Sequence, residues 1–216
     1  MSLHFPLFYW FKMTSQVALT GGIACGKSMA EACFRACGCR VLDADRVVWA
    51  LEAPGGEAVE PIVARFGREV LGADGGIDRK ALAERVFGDA QARQALEAIV
   101  HPLVRAAVAR WLGEARAGEV SIFSAALLYE CGWEAAWPVV VCVAASEATQ
   151  VRRMVEKRGM SEAQARARLA SQMPVAEKAR RAQWVLRNDT DDLDALKAQV
   201  EEVLAAIRSD GQAGSK

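Results

Sequence analysis

Gly21-Gly-Ile-Ala-Cys-Gly-Lys-Ser28 decides how this chain folds. The stretch satisfies the pattern G-x-x-x-x-G-K-[ST] without a mismatch. Its glycines let the backbone curl so that successive N–H groups point at phosphate oxygens. A helix that follows adds its positive N-terminal end. In such a loop Lys27 reaches the β- and γ-phosphates, and Ser28 offers its hydroxyl to Mg²⁺. The context agrees. Val17-Ala-Leu-Thr20 is a short apolar run that reads as a buried strand, and residues 27–38 read as a helix stopped by Gly38. The loop predicts nucleoside triphosphate binding, but it does not separate kinases from GTPases or ATPase motors.

Outward from the loop, Arg40-Val-Leu-Asp43 reads as a second strand, which completes a βαβ-sized unit. A helical middle follows from Ala44 to about Ala117. Turn signals at Pro54-Gly-Gly56 and Gly72-Ala-Asp-Gly-Gly76, and Pro102, are expected to break it. Val120-Ser-Ile-Phe123 and Val139-Val-Val-Cys-Val143 are uninterrupted apolar strands of the kind found in a parallel sheet covered on both faces. Ser146 caps a predicted helix over 147–158. Ser161-Glu-Ala-Gln164 is a capping box opening another, which Pro174 is expected to end. Trp184-Val-Leu186 is the fifth strand, and residues 191–208 form an amphipathic terminal helix. Alternating strands and helices predict an α/β/α sandwich on a parallel five-stranded sheet.

Bulk properties narrow the class. With 216 residues there is room for one α/β domain with an insertion. Lys plus Arg and Asp plus Glu balance at 27 each, so net charge argues for neither a nucleic-acid nor a membrane partner. The six cysteines match no zinc spacing and read as reduced small hydrophobes, which makes a cytoplasmic protein the expectation. Residues 1–13 are too short an apolar run to span a bilayer and lack a signal-peptide pattern. We read them as an extension upstream of a natural start at Met13. The single domain is expected over 14–209, with a frayed tail over 210–216. Its core would be 14–53, 113–146 and 182–209. The sequence leaves open a monomer or a weak homo-oligomer.

Two further features bear on chemistry. Asp43-Ala-Asp45 falls at the carboxyl end of the second strand, where open parallel sheets bind ligands. A carboxylate there can take a proton from an attacking hydroxyl or bind Mg²⁺. It can equally cap the next helix. From Gln150 to Arg187 there are ten basic residues and three acidic ones, and eight of the ten are Arg, the side chain suited to bidentate phosphate contacts. A basic lid over 147–181, closing to exclude water, is favoured over a merely solvated face.

With these residues in place the chain resembles the dephospho-coenzyme A kinase family. The resemblance rests on Thr20-Gly-Gly-Ile-x-x-Gly-Lys-Ser28 followed by Asp43-Ala-Asp45. It continues in order through Ile77-Asp-Arg-Lys80-x-Leu82 with Val86-Phe87, His101-Pro102, Leu127-Leu-Tyr-Glu130, Gln150-x-x-Arg153 with Arg158, Arg168-x-x-x-Gln172-Met-Pro174 with Lys178, and Asn188. It covers about residues 16–205. It implies a P-loop kinase fold that phosphorylates the ribose 3′-hydroxyl of dephospho-CoA with ATP and Mg²⁺. It further implies Asp45 as general base and Asp43 as orienting group. Gly22, Ile23, Ala24, Cys25, Gly26, Lys27, Ser28 and Met29 would line the ATP phosphates, with Ser28 toward the metal. Arg152, Arg153 or Arg158 would answer charge on the transferred group, with Arg153 taken as catalytic beside Lys27. Asn188 would sit near adenine. The helical segment 54–112 would bind the acceptor, with Arg79 and His101 as contacts and Glu130 as a further substrate candidate. For His101 a purely structural role stands equally open.

The chain also departs from that pattern. Ser124 and Ala126 stand where Asp and Pro are common, Gln183 where Asp is frequent, Thr190 where Gly is common, and Cys25 where Ser or Ala is usual. A thiol beside Lys27 is expected to have a lowered pKa and to be oxidisable. The alternatives are another P-loop nucleotide or small-molecule kinase, and a nucleotide-binding regulator without turnover.

Overall fold

The computed structural model describes residues 15–213, with side chains through Ser209. The proposed extension over 1–13 and the last three residues of the expected tail lie outside the described residues. The described residues divide into two compact units, one of those up to 41 together with those from 115 onward, the other of residues 42–114.

The first unit is built on a sheet ordered β2-β3-β1-β4-β5. The strands are β1 (Ser15–Gly21), β2 (Arg40–Asp43), β3 (Val120–Ser124), β4 (Val139–Ala144) and β5 (Trp184–Arg187). β1 pairs in parallel with β3, Leu19 opposite Ser124, and with β4, Gly21 opposite Val143. β4 pairs in parallel with β5. From Gln16 onward β1 is buried at every position, so its apolar run serves both faces of the sheet, as the absence of alternation predicts. On one face Val17, Leu19, Ile122, Val141 and Val143 pack with Ala30 and Phe34 of α1 (Lys27–Ala36). Leu196, Val200, Leu204 and Ile207 of α9 (Leu193–Ala213) close the same core. On the other face lie Phe123 and the rings of Trp133 and Trp137, with centroids 6.1 and 5.0 Å from that of Phe123. α8 (Val175–Arg181) also contacts β1 and β4. The result is the expected α/β/α layering on five parallel strands. α6 (Glu147–Arg158) and α7 (Glu162–Ala170) join through Val151, Met154 and Ala165. Ser146 caps α6, and Ser161 with Gln164 forms the predicted capping box.

The second unit contains α2 (Ala44–Glu52), α3 (Val59–Phe66), α4 (Arg79–Val86) and α5 (Ala90–Gly113). Asp43, Asp78 and Asp89 each cap the helix they precede. Val47, Leu51, Ile62, Phe66, Leu82, Val100, Val104 and Val108 are among its buried apolar side chains.

Two breaks expected from proline are corrected. Pro102 lies inside α5 and does not end it. The lost backbone bond is local, whereas Val100, Val104 and Val108 keep one buried stripe running past the proline, and burial prevails over the local rule. Pro174 does not terminate the helix opened at Ser161. That helix stops at Ala170, where the Ser171 hydroxyl donates to the Arg168 carbonyl, and Pro174 is the N-cap of α8. A fixed φ suits a helix start as well as it suits a stop. The terminal helix also runs on to Ala213, past the predicted end at 208 and through part of the tail expected to fray.

At Gly21 the strands approach too closely for a side chain. A Cβ there would stand 2.7 Å from the Val143 carbonyl oxygen. The Gly21→Ala variant should lose about 1–3 kcal/mol of stability, read as a lower urea midpoint with an unchanged slope.

Candidate active site

The loop after β1 must turn its amides outward to hold an anion. Each peptide plane then sends the opposite carbonyl inward, where it needs a donor. Three consecutive carbonyls find one. Gln150 Nε2 donates to the Ile23 oxygen at 2.6 Å, Arg153 NH1 to the Ala24 oxygen at 3.1 Å, and Asn188 Nδ2 to the Cys25 oxygen at 2.8 Å. All three donors are buried, at 3%, 5% and 2% exposure. Gln150 and Arg153 sit three residues apart on one face of α6. Asn188 follows β5, and its own N–H donates to the Ala144 carbonyl at the end of β4. The loop held this way carries strain at Ala24, with φ 57°, whereas Gly26, the N-cap of α1, takes its φ of 90° freely because it has no Cβ. A Cβ on Gly26 would collide with the Asn188 amide.

Lys27 and Ser28 open α1, and the first N–H to close a bond there is that of Met29, on the Gly26 carbonyl at 3.0 Å. Ser28 is exposed and Met29 half-buried. Lys27 Nζ donates to Glu31 Oε1 at 2.8 Å and to Ser124 Oγ at 2.6 Å, and Ser124 Oγ donates to the same Glu31 oxygen at 2.6 Å. Burial alone would raise the Glu31 carboxyl, but the bonds from Lys27 and Ser124 hold it below its ordinary value. Glu31 carried no weight in the sequence reading. Its signal was there in the i,i+4 spacing from Lys27.

The remaining expected residues separate by role. Arg153 spends its guanidinium on the Ala24 and Thr190 carbonyls, the latter at 2.9 Å, and on Asp191 at 3.3 Å. Its contacts are therefore those of a brace behind the loop, and so is the contact of Asn188. Arg152 is exposed and pairs with Glu156 and Asp191, while Arg158 is exposed at the last turn of α6. Glu130 accepts from Lys178 Nζ at 2.8 Å and from the Met173 N–H at 3.1 Å. Lys178, fully buried, also donates to the Ala126 carbonyl at 2.7 Å. In the second unit Asp43 Oδ1 accepts from the Asp45 N–H at 2.8 Å, and the Asp45 side chain is exposed. Arg79 Nε meets Glu52 at 2.8 Å, and its guanidinium lies 4.9 Å from the centre of the Trp49 ring. These residues line an open hollow of about 560 Å³. His101 is half-buried in α5. Desolvation, helped by Arg105, lowers its pKa against the pull of Glu97.

Cys25 corrects an expectation. Lys27 at its side does not produce a thiolate. The side chain is fully buried, and that burial pushes the thiol up to about 11 in spite of backbone hydrogen bonds and Arg153.

Two predictions follow from these contacts. Arg153→Met leaves buried carbonyls without a donor and should cost about 2 kcal/mol in urea unfolding, with roughly tenfold weaker ATP binding by calorimetry. Arg152→Ala, at an exposed position, should change stability by less than about 0.5 kcal/mol. The second concerns pH. Burial raises Cys25 and Cys39 from 9.0 to about 11 and Cys142 to about 12. These thiols ionise in the unfolded chain before they do so in the folded one. The stabilising difference is intact below pH 9 and is lost as pH climbs from 9 toward 11 for Cys25 and Cys39 and toward 12 for Cys142. Each thiol contributes a slope of about 1.4 kcal/mol per pH unit. Urea midpoints at pH 8, 9.5 and 10.5 should fall accordingly, and Cys142→Ala should flatten the decline.

Comparison with known proteins gives this geometry its place. A family model for dephospho-CoA kinase matches residues 15–194. The dephospho-CoA kinase of Anaeromyxobacter dehalogenans is 44% identical over 194 residues, covering 89% of this chain and 92% of that protein. That of Geobacter sulfurreducens is 41% identical over 191 residues, 88% of this chain and 96% of the relative. A Thermus thermophilus crystal structure superposes with a TM-score of 0.78 at 37% identity, over 90% of this chain and 98% of that one. The dephospho-CoA kinase structure from Campylobacter jejuni, 24% identical with a TM-score of 0.59, shares the fold over 90% of this chain and 98% of its own. With a braced phosphate loop and this match over most of its length, the chain belongs to the dephospho-CoA kinase family.

Proposed function

We propose that this protein transfers the terminal phosphoryl group of ATP to the ribose 3′-hydroxyl of dephospho-CoA, giving ADP and CoA. The observation that carries the reading is the loop at 22–28. Its carbonyls are turned away onto buried donors, and Lys27 stands at the start of α1. Such a loop presents its amides to a polyphosphate, and the transferred group needs little from the protein besides placement and charge. Gly22, Ile23, Ala24, Cys25, Gly26 and Met29 shape the seat, and Asn188 supports it from behind. Arg152 and Arg158, both exposed, are the cations able to approach the γ-phosphate. Asp45 accepts the proton of the attacking hydroxyl, with Asp43 holding the backbone of Asp45 in place. Arg79, braced by Glu52 over the Trp49 ring, and His101 contact the acceptor.

Mg²⁺ fits these residues in one way. Among the described residues no group of three His, Cys, Asp or Glu side chains converges on a metal site, while the Ser28 hydroxyl is exposed beside the loop amides. Ser28 would hold the ion through its hydroxyl. Such an ion neutralises charge on the phosphates. No helix among the described residues is long and apolar enough to cross a membrane.

ADP release measured with dephospho-CoA against nucleosides and nucleoside monophosphates tests the proposal. Dephospho-CoA should give the highest kcat/KM, and CoA should be recovered as product. A preference for another acceptor would replace this reading by a different small-molecule kinase. Asp45→Asn should lower kcat by about 10²–10⁴ while ATP affinity stays within about twofold, and near-normal turnover would remove Asp45 as the base.

A further inference from the structure

We propose that Glu31 is the positioning residue for Lys27, a carboxylate one helical turn past the loop lysine that works together with Ser124. The proposal rests on the kinase reading, because it gives both residues a part in handling ATP. Three atoms carry it. Lys27 Nζ, Glu31 Oε1 and Ser124 Oγ form a closed triangle with sides of 2.8, 2.6 and 2.6 Å. An ammonium has three N–H bonds. Two are taken by these partners, which fixes the direction of the third. Lys27 retains 17% of its side-chain exposure. The remaining donor is thus the one available to a phosphate oxygen.

A surface i,i+4 ion pair would deserve no such reading. Glu31 differs in two respects. It is 5% exposed, and a carboxylate is seldom this buried unless it is paired. It is also held from a second element, since Ser124 ends β3, opposite Leu19 of β1. Its other oxygen has Arg35 3.5 Å away. If Lys27 turns toward a phosphate, Glu31 still keeps Ser124 and Arg35.

The charge has an opposite effect on binding. A carboxylate this close to the loop repels a polyphosphate and competes with it for the ammonium. Glu31 therefore weakens ground-state affinity for ATP while it fixes the geometry that the transferred phosphoryl group meets. A residue that merely supported the fold would not separate these two effects.

The full chain in three versions tests this: unaltered, Glu31→Gln, and the double variant Glu31→Gln with Ser124→Asp. The Kd for ATP is measured by calorimetry without acceptor, and kcat with ATP and dephospho-CoA. Glu31→Gln should tighten ATP by about threefold or more and lower kcat by about tenfold or more. The double variant offers a carboxylate to Lys27 from the β3 side and should recover at least about a third of the lost kcat and the original Kd. Unchanged or weaker ATP binding, an unchanged kcat, or no recovery in the double variant would overturn the proposal. If Glu31→Gln does not fold, Ser124→Ala carries the comparison. It keeps the charge pair but frees the ammonium, and should lower kcat by about threefold with unchanged Kd; an unaltered kcat would overturn the idea. Should the unaltered chain make no CoA, the reaction assigned above fails. The calorimetric arm still tests the effect of Glu31 on ATP affinity, and unchanged or weaker binding in Glu31→Gln overturns the proposal there too.

Discussion

Three hydrogen bonds to three consecutive carbonyls hold the phosphate loop open. The loop is uphill on its own account. Ala24 in the left-handed region costs about 1–2 kcal/mol, and every carbonyl turned inward would cost about 1–3 kcal/mol if it met no donor. Gln150, Arg153 and Asn188 remove the second cost, and their net bonds, about 0.5–3 kcal/mol each, outweigh the first. The loop is therefore preorganised before any nucleotide arrives. Glycine at position 26 follows from the same contact, because the Asn188 amide occupies the place of a side chain there.

That clamp depends in turn on the sheet. Asn188 can reach Cys25 because β5 pairs with β4 in a register that ends with its N–H on the Ala144 carbonyl. Gln150 and Arg153 face the loop because α6 begins at the Ser146 cap directly after β4. A slip of one residue in β4–β5 pairing would turn the Asn188 side chain to the other face. The buried valines of β4 and Leu186 of β5 resist such a slip, so the apolar core and the phosphate site are specified by the same pairing.

Much of this was legible in the sequence. Unalternating apolar runs announced β1, β3 and β4, and Ser146 and Ser161 announced their helices, because period and cap chemistry are local. Pro102 and Pro174 were misread for the complementary reason: a rule about one residue yielded to burial of a stripe in one case and to a following helix in the other. Roles were harder to read than elements. Arg153 was grouped with the phosphate-seeking arginines by residue type, yet its donors go to backbone carbonyls. Cys25 was read from its charged neighbour, but desolvation sets its pKa. Ser124 was noticed only as a missing carboxylate. That Glu31 stands beside it depends on strand order, which spacing alone does not reveal.

A chain with equal numbers of acidic and basic residues that binds a polyanion must settle its cations before the ligand comes. Here burial sorts them. Arg153 and Lys178 are fixed, because separating a buried cation from its partners leaves charge and carbonyls uncompensated. Arg152 and Lys157 share Asp191 at the surface, and Arg166 lies between Glu147 and Glu162. Exposed pairs of this kind are weak and screened by salt, so they can be exchanged for a phosphate at little cost. These five basic residues thus fall into two groups, one fixed by burial and one paired loosely at the surface. Lys27 stands between them, held by a buried carboxylate yet partly open to solvent. A group whose pairing is strong enough to orient it and incomplete enough to leave one donor free can be both part of the scaffold and part of the chemistry.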